Sequence, residues 1–196
     1  MRFSLYIFAS LFFPAGIACA AEVTFPGVAP ENIIRKFSYD WNKDGTPDHA
    51  IIVTVSKTNE LQQELRFYLS GAGGIQLVEA HPGNWVGSDD SVISTDFSLT
   101  PRGSLDINSG NTAWGRDRWS ETLTIAYRGG QFVVAGYTYS AYDTLDLDKS
   151  FICEVNLLTG KGTLNQKNFN TTAKPIPFKD WNDSEHRPRE CPNTID

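Results

Sequence analysis

Residues 122–139 carry the pattern that most restricts the fold. Leu123, Ile125 and Tyr127 alternate with Thr122, Thr124 and Ala126, Gly129-Gly130 follows, and Phe132 to Tyr139 returns. Side chains of a strand point to opposite faces with a period of two, and paired glycines supply the positive φ angles of the mirror-image turns that join antiparallel strands. The stretch is predicted as a β-hairpin with one apolar face, which needs a second apolar layer to cover it.

The same period recurs along the chain. Ile33 to Tyr39 predicts a strand, Ile51, Val53 and Val55 alternate with Ile52, Thr54 and Ser56, and Leu65, Phe67 and Leu69 alternate with Arg66, Tyr68 and Ser70. Ser70-Gly71-Ala72-Gly73-Gly74 turns into Ile75 to Val78; with no Lys-Ser/Thr pair or helix after it, the glycine cluster reads as a turn and not as a phosphate cradle. Weaker strands are expected at Val92 to Phe97 and Gly103 to Ile107. Ser150 to Leu158 places Phe151, Cys153, Val155 and Leu157 on one face, before Thr159-Gly160-Lys161-Gly162 turns into Thr163-Leu164. No helical period of useful length is present. About nine or ten strands imply a single all-β domain at 21–173, an antiparallel sandwich or barrel and not a full propeller. Pro175, Pro177, Pro188 and Pro192 predict that residues 174–196 form an irregular tail, extended over the outside.

Between the first two strands lies Asp40-Trp41-Asn42-Lys43-Asp44-Gly45-Thr46-Pro47-Asp48. Ca²⁺ takes six to eight oxygens, and a tightly curled chain offers them from alternate positions, with glycine where a Cβ would resist the turn. The Asp40, Asn42, Asp44 and Asp48 side chains and the Thr46 carbonyl fill those positions around Gly45, which predicts a structural calcium site at 40–48. The alternative is a solvated acidic turn, since Asn, Asp and Gly favour turns for local reasons. Ile51 stands where an EF-hand needs a bidentate Glu, and a strand follows instead of a helix. The loop with its Ala50-Ile51-Ile52-Val53 continuation resembles the D-x-[DN]-x-D-G-x-x-D loops of FG-GAP and VCBS-type secreted β-proteins. That resemblance implies an exported calcium-stabilised β-protein and no defined activity. The segment from Trp114 to Gly160 is also similar to exported bacterial β-proteins of undefined activity that pair such a loop with an L-T-G-K turn.

Met1-Arg2, the apolar run from Phe3 to Phe13 and the small residues Ala18-Cys19-Ala20 predict a signal peptide at 1–20, with cleavage near Ala20-Ala21 and a periplasmic or secreted destination. Gly16-Ile17-Ala18-Cys19 faintly resembles a lipoprotein processing site, which leaves lipidation at Cys19 as the alternative. No stretch reaches the ~20 apolar residues of a spanning helix. Export makes a disulfide between Cys153 and Cys191 the expected state, two free thiols being the other. The formal net charge of −6 disfavours nucleic acid and anionic lipid as partners.

Two constellations carry candidate chemistry. In the first, Trp114 and Trp119 bracket Arg116, Asp117 and Arg118, residue types that anchor protein interfaces and stack on sugars. Core closure by the tryptophans, with Asp117 paired to an arginine, is the competing reading. In the second, Tyr137, Tyr139 and Tyr142 run into Asp143, Asp146 and Asp148; paired carboxylates serve glycoside hydrolysis when held across the bond, and otherwise are solvated acids. His49, His81 and His186 have no zinc spacing, no G-x-S-x-G elbow occurs, and neither cysteine sits as an activated nucleophile. Asp89-Asp90 reads as a turn or a secondary calcium contact. The expectation is a non-catalytic periplasmic or secreted β-domain that binds another envelope protein, of inhibitor or immunity type. A glycan-binding module, or a hydrolase using Asp143, is the alternative.

Overall fold

The computed structural model of the protein describes residues 23–57, 60–83 and 93–195. The expected signal peptide, Cys19, Asp89-Asp90 and the start of the strand expected at Val92 lie outside them. The described chain is an all-β sandwich of two antiparallel sheets, neither closed into a barrel. The small sheet is a meander of β1 (Ile33–Tyr39), β2 (Asp48–Lys57), β3 (Glu60–Leu69) and β4 (Gln76–Pro82). The large sheet contains β5 (Ile93–Leu99), β6 (Leu105–Asn111), β7 (Asp117–Arg128), β8 (Gln131–Asp143), β9 (Ser150–Asn156), β10 (Lys161–Leu164) and β11 (Lys167–Asn170), again in sequence order. A further strand, β12 (Ile176–Pro177), pairs with β8. Apart from β12, strands consecutive in sequence are neighbours within each sheet, as short hairpin connections require.

The predicted hairpin is β7 and β8, the two longest strands. Arg128 faces Gln131 across the turn, and Gly129 (φ 59°) and Gly130 (φ 84°) both take the left-handed conformation that the mirror-image turn needs. Its apolar face and those of β6 and β9 form half of the main core: Leu105, Ile107, Leu123, Ile125, Phe132, Val134, Tyr137 and Val155. The small sheet supplies Ala50, Ile52, Leu65 and Phe67. Phe67 stacks on Phe132 with centroids 4.1 Å apart, the closest aromatic contact between the sheets among the described residues.

Strand β2 departs from simple alternation. Ala50 and Ile52 face the main core, whereas Ile51 and Val53 pack with Phe25 and Tyr68 in a second cluster on the opposite face. Residues near Phe25 and Val28 cover that face, so the Ala-Ile-Ile-Val run is apolar on both sides, as strands buried on two faces are.

The C-terminal segment differs most from expectation. It does not lie outside as extended coil; it completes the core. Strand β9 leaves β8 after Asn156 pairs Gly136, and β12 takes up Val133 and Val134 beyond that point. Phe178 is fully buried against Phe67, and the Trp181 carbonyl accepts a bond from His81 Nε2 at 2.6 Å. A one-turn helix, α1 (Asp183–His186), is capped by Asn182, whose Oδ1 accepts from the Ser184 amide. Cys191 is joined to Cys153 of β9, with Cα atoms 5.6 Å apart, as export and parity predicted. Four prolines bar a regular sheet interior but not these short pieces. Among the described residues no helix is long and apolar enough to cross a membrane.

Where this segment meets β7 and β8, a charged cluster is half-buried. Arg187 lies over the Tyr139 ring at 4.3 Å and donates to Glu121 Oε2 at 3.2 Å and Asp183 Oδ2 at 3.0 Å, while the Tyr137 hydroxyl donates to Glu121 at 3.1 Å. Burial first, and then the Asp183 charge, push the Glu121 carboxyl up to about 7 against the opposing pull of Arg187. The native chain therefore holds a proton that the unfolded chain has released. The Glu121 contribution to stability is present below the ordinary Glu range and is lost as pH rises through about 7. Between about pH 5 and pH 8, wild type should lose on the order of 2 kcal/mol more than Glu121→Gln in denaturant unfolding. His49, Glu79 and the other titrating groups are common to both proteins, so parallel profiles would refute the assignment to Glu121.

Candidate functional site

The acidic loop joins β1 to β2 and is held from both ends. Trp41, its second residue, is buried with its ring edge-on to Phe67 at 5.9 Å and Phe132 at 5.5 Å. Asp48, its last, is fully buried; Oδ2 accepts from the Trp41 and Asn42 amides at 2.9 and 3.2 Å, and Oδ1 from the Ser70 amide at 2.9 Å. A buried carboxylate is tolerated when donors surround it. Asp48 therefore ties the loop to the turn that follows β3, and three of its acceptor positions are taken.

Between those anchors the chain curls tightly, with Lys43 (φ 62°) and Gly45 (φ 88°) both left-handed. Asp40 accepts from the Asp44 amide at 3.1 Å and the Gly45 amide at 2.9 Å. Asn42 Oδ1 also accepts from the Asp44 amide, at 2.9 Å, and Asp44 Oδ1 from the Thr46 amide at 2.8 Å. Asn42 Nδ2 donates to Asp44 Oδ2 at 3.0 Å. The bond from the Thr46 amide is the chief cause that holds the Asp44 carboxyl below its ordinary range. Among the described residues no three His, Cys, Asp or Glu side chains form a metal-holding group by themselves. The donor set for a hard cation would be the carboxylates of Asp40 and Asp44, the Asn42 amide oxygen and the Thr46 carbonyl. This all-oxygen set suits Ca²⁺ and not Zn²⁺.

The second candidate site lies at one end of the large sheet, where the β6–β7 and β8–β9 connections meet. Asp117 is paired with Asp143, Arg118 with Tyr142 and Trp119 with Ala141. Arg116 Nε donates to both Asp143 oxygens, at 2.7 and 2.8 Å, and its Nη2 completes the ion pair. The Leu145 amide donates to the same carboxylate at 2.8 Å, and the Thr144 amide to the Arg116 carbonyl at 3.0 Å. The two connections are thus fastened together. Asn111 fixes the first from within, accepting from the Trp114 amide at 3.0 Å and donating to its carbonyl at 2.8 Å.

The tryptophans separate. Trp119 packs on the inner face and stacks on Tyr139 at 6.2 Å, as core closure predicted, and Tyr139 itself is buried beneath Arg187. Trp114 is 64 % exposed, and at the same end Tyr142 is 40 %, Leu145 79 % and Leu147 69 % exposed. Asp117 and Asp148 are exposed with them, and Arg118 is half-buried. Of the residues expected from the sequence, Trp114, Arg116, Asp117, Arg118, Tyr142 and Asp143 lie together at this end, Trp119 and Tyr139 pack inward, and Leu145 and Leu147, which the sequence did not single out, stand exposed beside them. Leu145-Asp146-Leu147-Asp148 alternates like a strand, which would bury one leucine face, but the segment is a turn. Asp117 does not pair with either neighbouring arginine in an ion pair among the described residues; Arg116 pairs with Asp143.

Asp143 is buried, and the Arg116 guanidinium, bonded directly to its carboxyl, holds it down at about 2. A general acid needs a value near the working pH, so this carboxylate is suited to fastening and not to proton donation. Comparison of the chain with protein-family models, curated proteins and solved structures finds no match.

The Asp143 contribution to stability is present above the ordinary Asp range and is lost as pH falls through about 2. Asp143→Asn should therefore melt below wild type at about pH 6, and the gap should close as the melts approach about pH 2. A gap that stays constant over that range would show that the ion pair does not hold the two connections.

Proposed function

We propose that this chain is a non-catalytic periplasmic or secreted β-sandwich that binds another protein of the cell envelope, in the manner of an inhibitor or immunity protein. Trp114, Tyr142, Leu145 and Leu147 are the apolar contacts in this reading. The observation that carries it is the exposure of Trp114 on a connection already fastened by Asn111 and by the Arg116 to Asp143 pair. Exposed aromatic anchors on ordered backbone bind with little further loss of conformational freedom, and Trp and Arg dominate interface hot spots. The exposed Asp117 and Asp148, in a chain of net charge −6, favour a basic surface on the partner.

Immobilised mature protein should retain a specific envelope protein from an extract of its own source. Trp114→Ala and Leu145→Ser should each weaken that complex by about tenfold or more, while melting within about 2 °C of wild type. Retention of the same protein by both variants at wild-type affinity, or no specific retention by wild type, would overturn the reading.

In the same reading one Ca²⁺ binds at Asp40, Asn42, Asp44 and the Thr46 carbonyl; Asp48, expected as a further ligand, serves instead as a brace behind the loop, because it is buried and its oxygens accept from three amides. The ion cancels the repulsion between the Asp40 and Asp44 carboxylates and stiffens the entry to β2. Support comes from the all-oxygen donor set and from the Trp41 and Asp48 anchors, which fix both ends of the loop and leave less to order on binding. Calorimetry on the metal-stripped protein should show saturable binding of about one Ca²⁺, with a rise in melting temperature that Asp44→Ala abolishes. No binding at about millimolar Ca²⁺, the weak end of extracellular sites, would reduce residues 40–48 to an acidic turn.

A further inference from the structure

The outward face of the large sheet carries a cavity of about 600 Å³ at the end opposite Trp114. Its position follows from topology: the connections at 100–104, 129–130 and 157–160 lie at this end, and those at 112–116 and 144–149 lie at the other. The volume falls within the range of about 300–1,000 Å³ usual for small-ligand sites.

Two backbone features make the depression. The pairing of β7 with β8 shifts register between Thr124 and Ile125, a bulge. Beside it, Gly136 leaves the floor without a side chain; a Cβ there would lie 3.2 Å from Thr124 Cβ. Glycine inside a strand commonly marks a bulge or the close approach of a ligand.

The rim is cationic in an acidic protein. Arg102, Arg128 and Lys161 line the cavity, are exposed, and form no ion pair among the described residues. The acid in the lining is Glu154, which accepts from Thr163 at 3.3 Å; Asp106, just outside it, accepts from Thr124 at 2.6 Å. Three unpaired cations around one concavity favour an anionic occupant.

The floor narrows the class of that anion. It is formed mainly by β8, β9 and β10, which are interior strands whose edges are taken up in the sheet, so a peptide cannot be captured there by strand addition. Recognition must come from side chains, and those available are hydroxyls and amides: Thr124, Thr138, Asn156, Thr163 and Asn168. Thr124 and Thr163, whose hydroxyls donate to Asp106 and Glu154, can accept from sugar hydroxyls, the Thr138 hydroxyl and the asparagine amides can donate as well, and the guanidinium and ammonium groups match carboxylates.

We propose that this cavity binds a short carboxylated oligosaccharide, its carboxylates against Arg102, Arg128 and Lys161 and its hydroxyls against the threonines and asparagines of β7 to β11. The site is separate from the Trp114 end and does not depend on the protein-binding reading.

The test is titration calorimetry of the mature full-length protein at low salt with two carboxylated probes, trigalacturonate and a hyaluronan tetrasaccharide, against neutral maltotriose and a pentaglutamate peptide. At least one carboxylated sugar should bind saturably and more tightly than maltotriose and pentaglutamate by about tenfold or more. Arg128→Ala combined with Lys161→Ala should weaken it by about tenfold or more, added salt should weaken it, and Trp114→Ala should leave it unchanged. Failure of both sugars at about 5 mM, equal binding of pentaglutamate, or indifference to the double substitution would each overturn the proposal.

Discussion

Phe67 against Phe132 is the contact on which the sandwich depends. The pair belongs to different sheets, and three other parts of the chain close on it: Trp41 edge-on to both rings, Tyr127 on Phe132 and Phe178 on Phe67. Each aromatic buries roughly 150–250 Å², so this cluster holds much of the apolar burial between the layers. It also explains why a polar loop can be well placed. Trp41 lies inside the acidic loop, yet its ring is core, so the loop cannot move without opening the inter-sheet contact.

The second constraint is that the two layers are unequal. Strands β6 to β9 present an inner face that four strands do not cover, and the remainder holds Tyr137, Tyr139, Cys153 and the Glu121 carboxyl. The C-terminal segment supplies the missing cover with Phe178, Trp181 and Cys191, and brings Arg187 to the buried acid. The covalent link from Cys153 to Cys191 restricts the unfolded chain over a separation of 38 residues, worth about 4 kcal/mol on the chain-entropy model. Arg187 opposes the upward shift of the Glu121 carboxyl, so its removal would leave that acid protonated to still higher pH.

A meander places its connections at two ends, and the two ends here differ in chemistry. One carries exposed tryptophan, tyrosine and leucine beside aspartates; the other carries arginine and lysine around a hydroxyl-lined depression. Tyr39, which leads into the acidic loop, touches Gly103 at the cationic end, where a Cβ would meet its hydroxyl at 2.8 Å. The calcium-loop candidate is thereby kept apart from the Trp114 connection.

Local chemistry made much of the fold legible. Strand β1 was bounded as predicted, Gly129-Gly130 marked the hairpin, Phe151, Cys153, Val155 and Leu157 shared a face, and the two cysteines were paired. Strand β11 was missed because Lys167-Asn168-Phe169-Asn170 has one apolar residue and is a strand chiefly through its pairing with β10. The same limit applied to the sites. Spacing alone picked out Asp40 to Asp48 and the Trp114 to Trp119 stretch, but not the leucines of the facing connection, since proximity across a sheet end is absent from linear order. By itself the sequence determined the period-two elements, the tight turns and the all-β class, because these follow from neighbours one to four residues apart. Only the tertiary structure decided that Trp119 packs against the core and Trp114 does not, that Asp143 is fastened to Arg116, and that Phe178, Trp181 and Cys191 of the proline-rich tail are buried. Burial depends on what arrives from the far side of the sandwich.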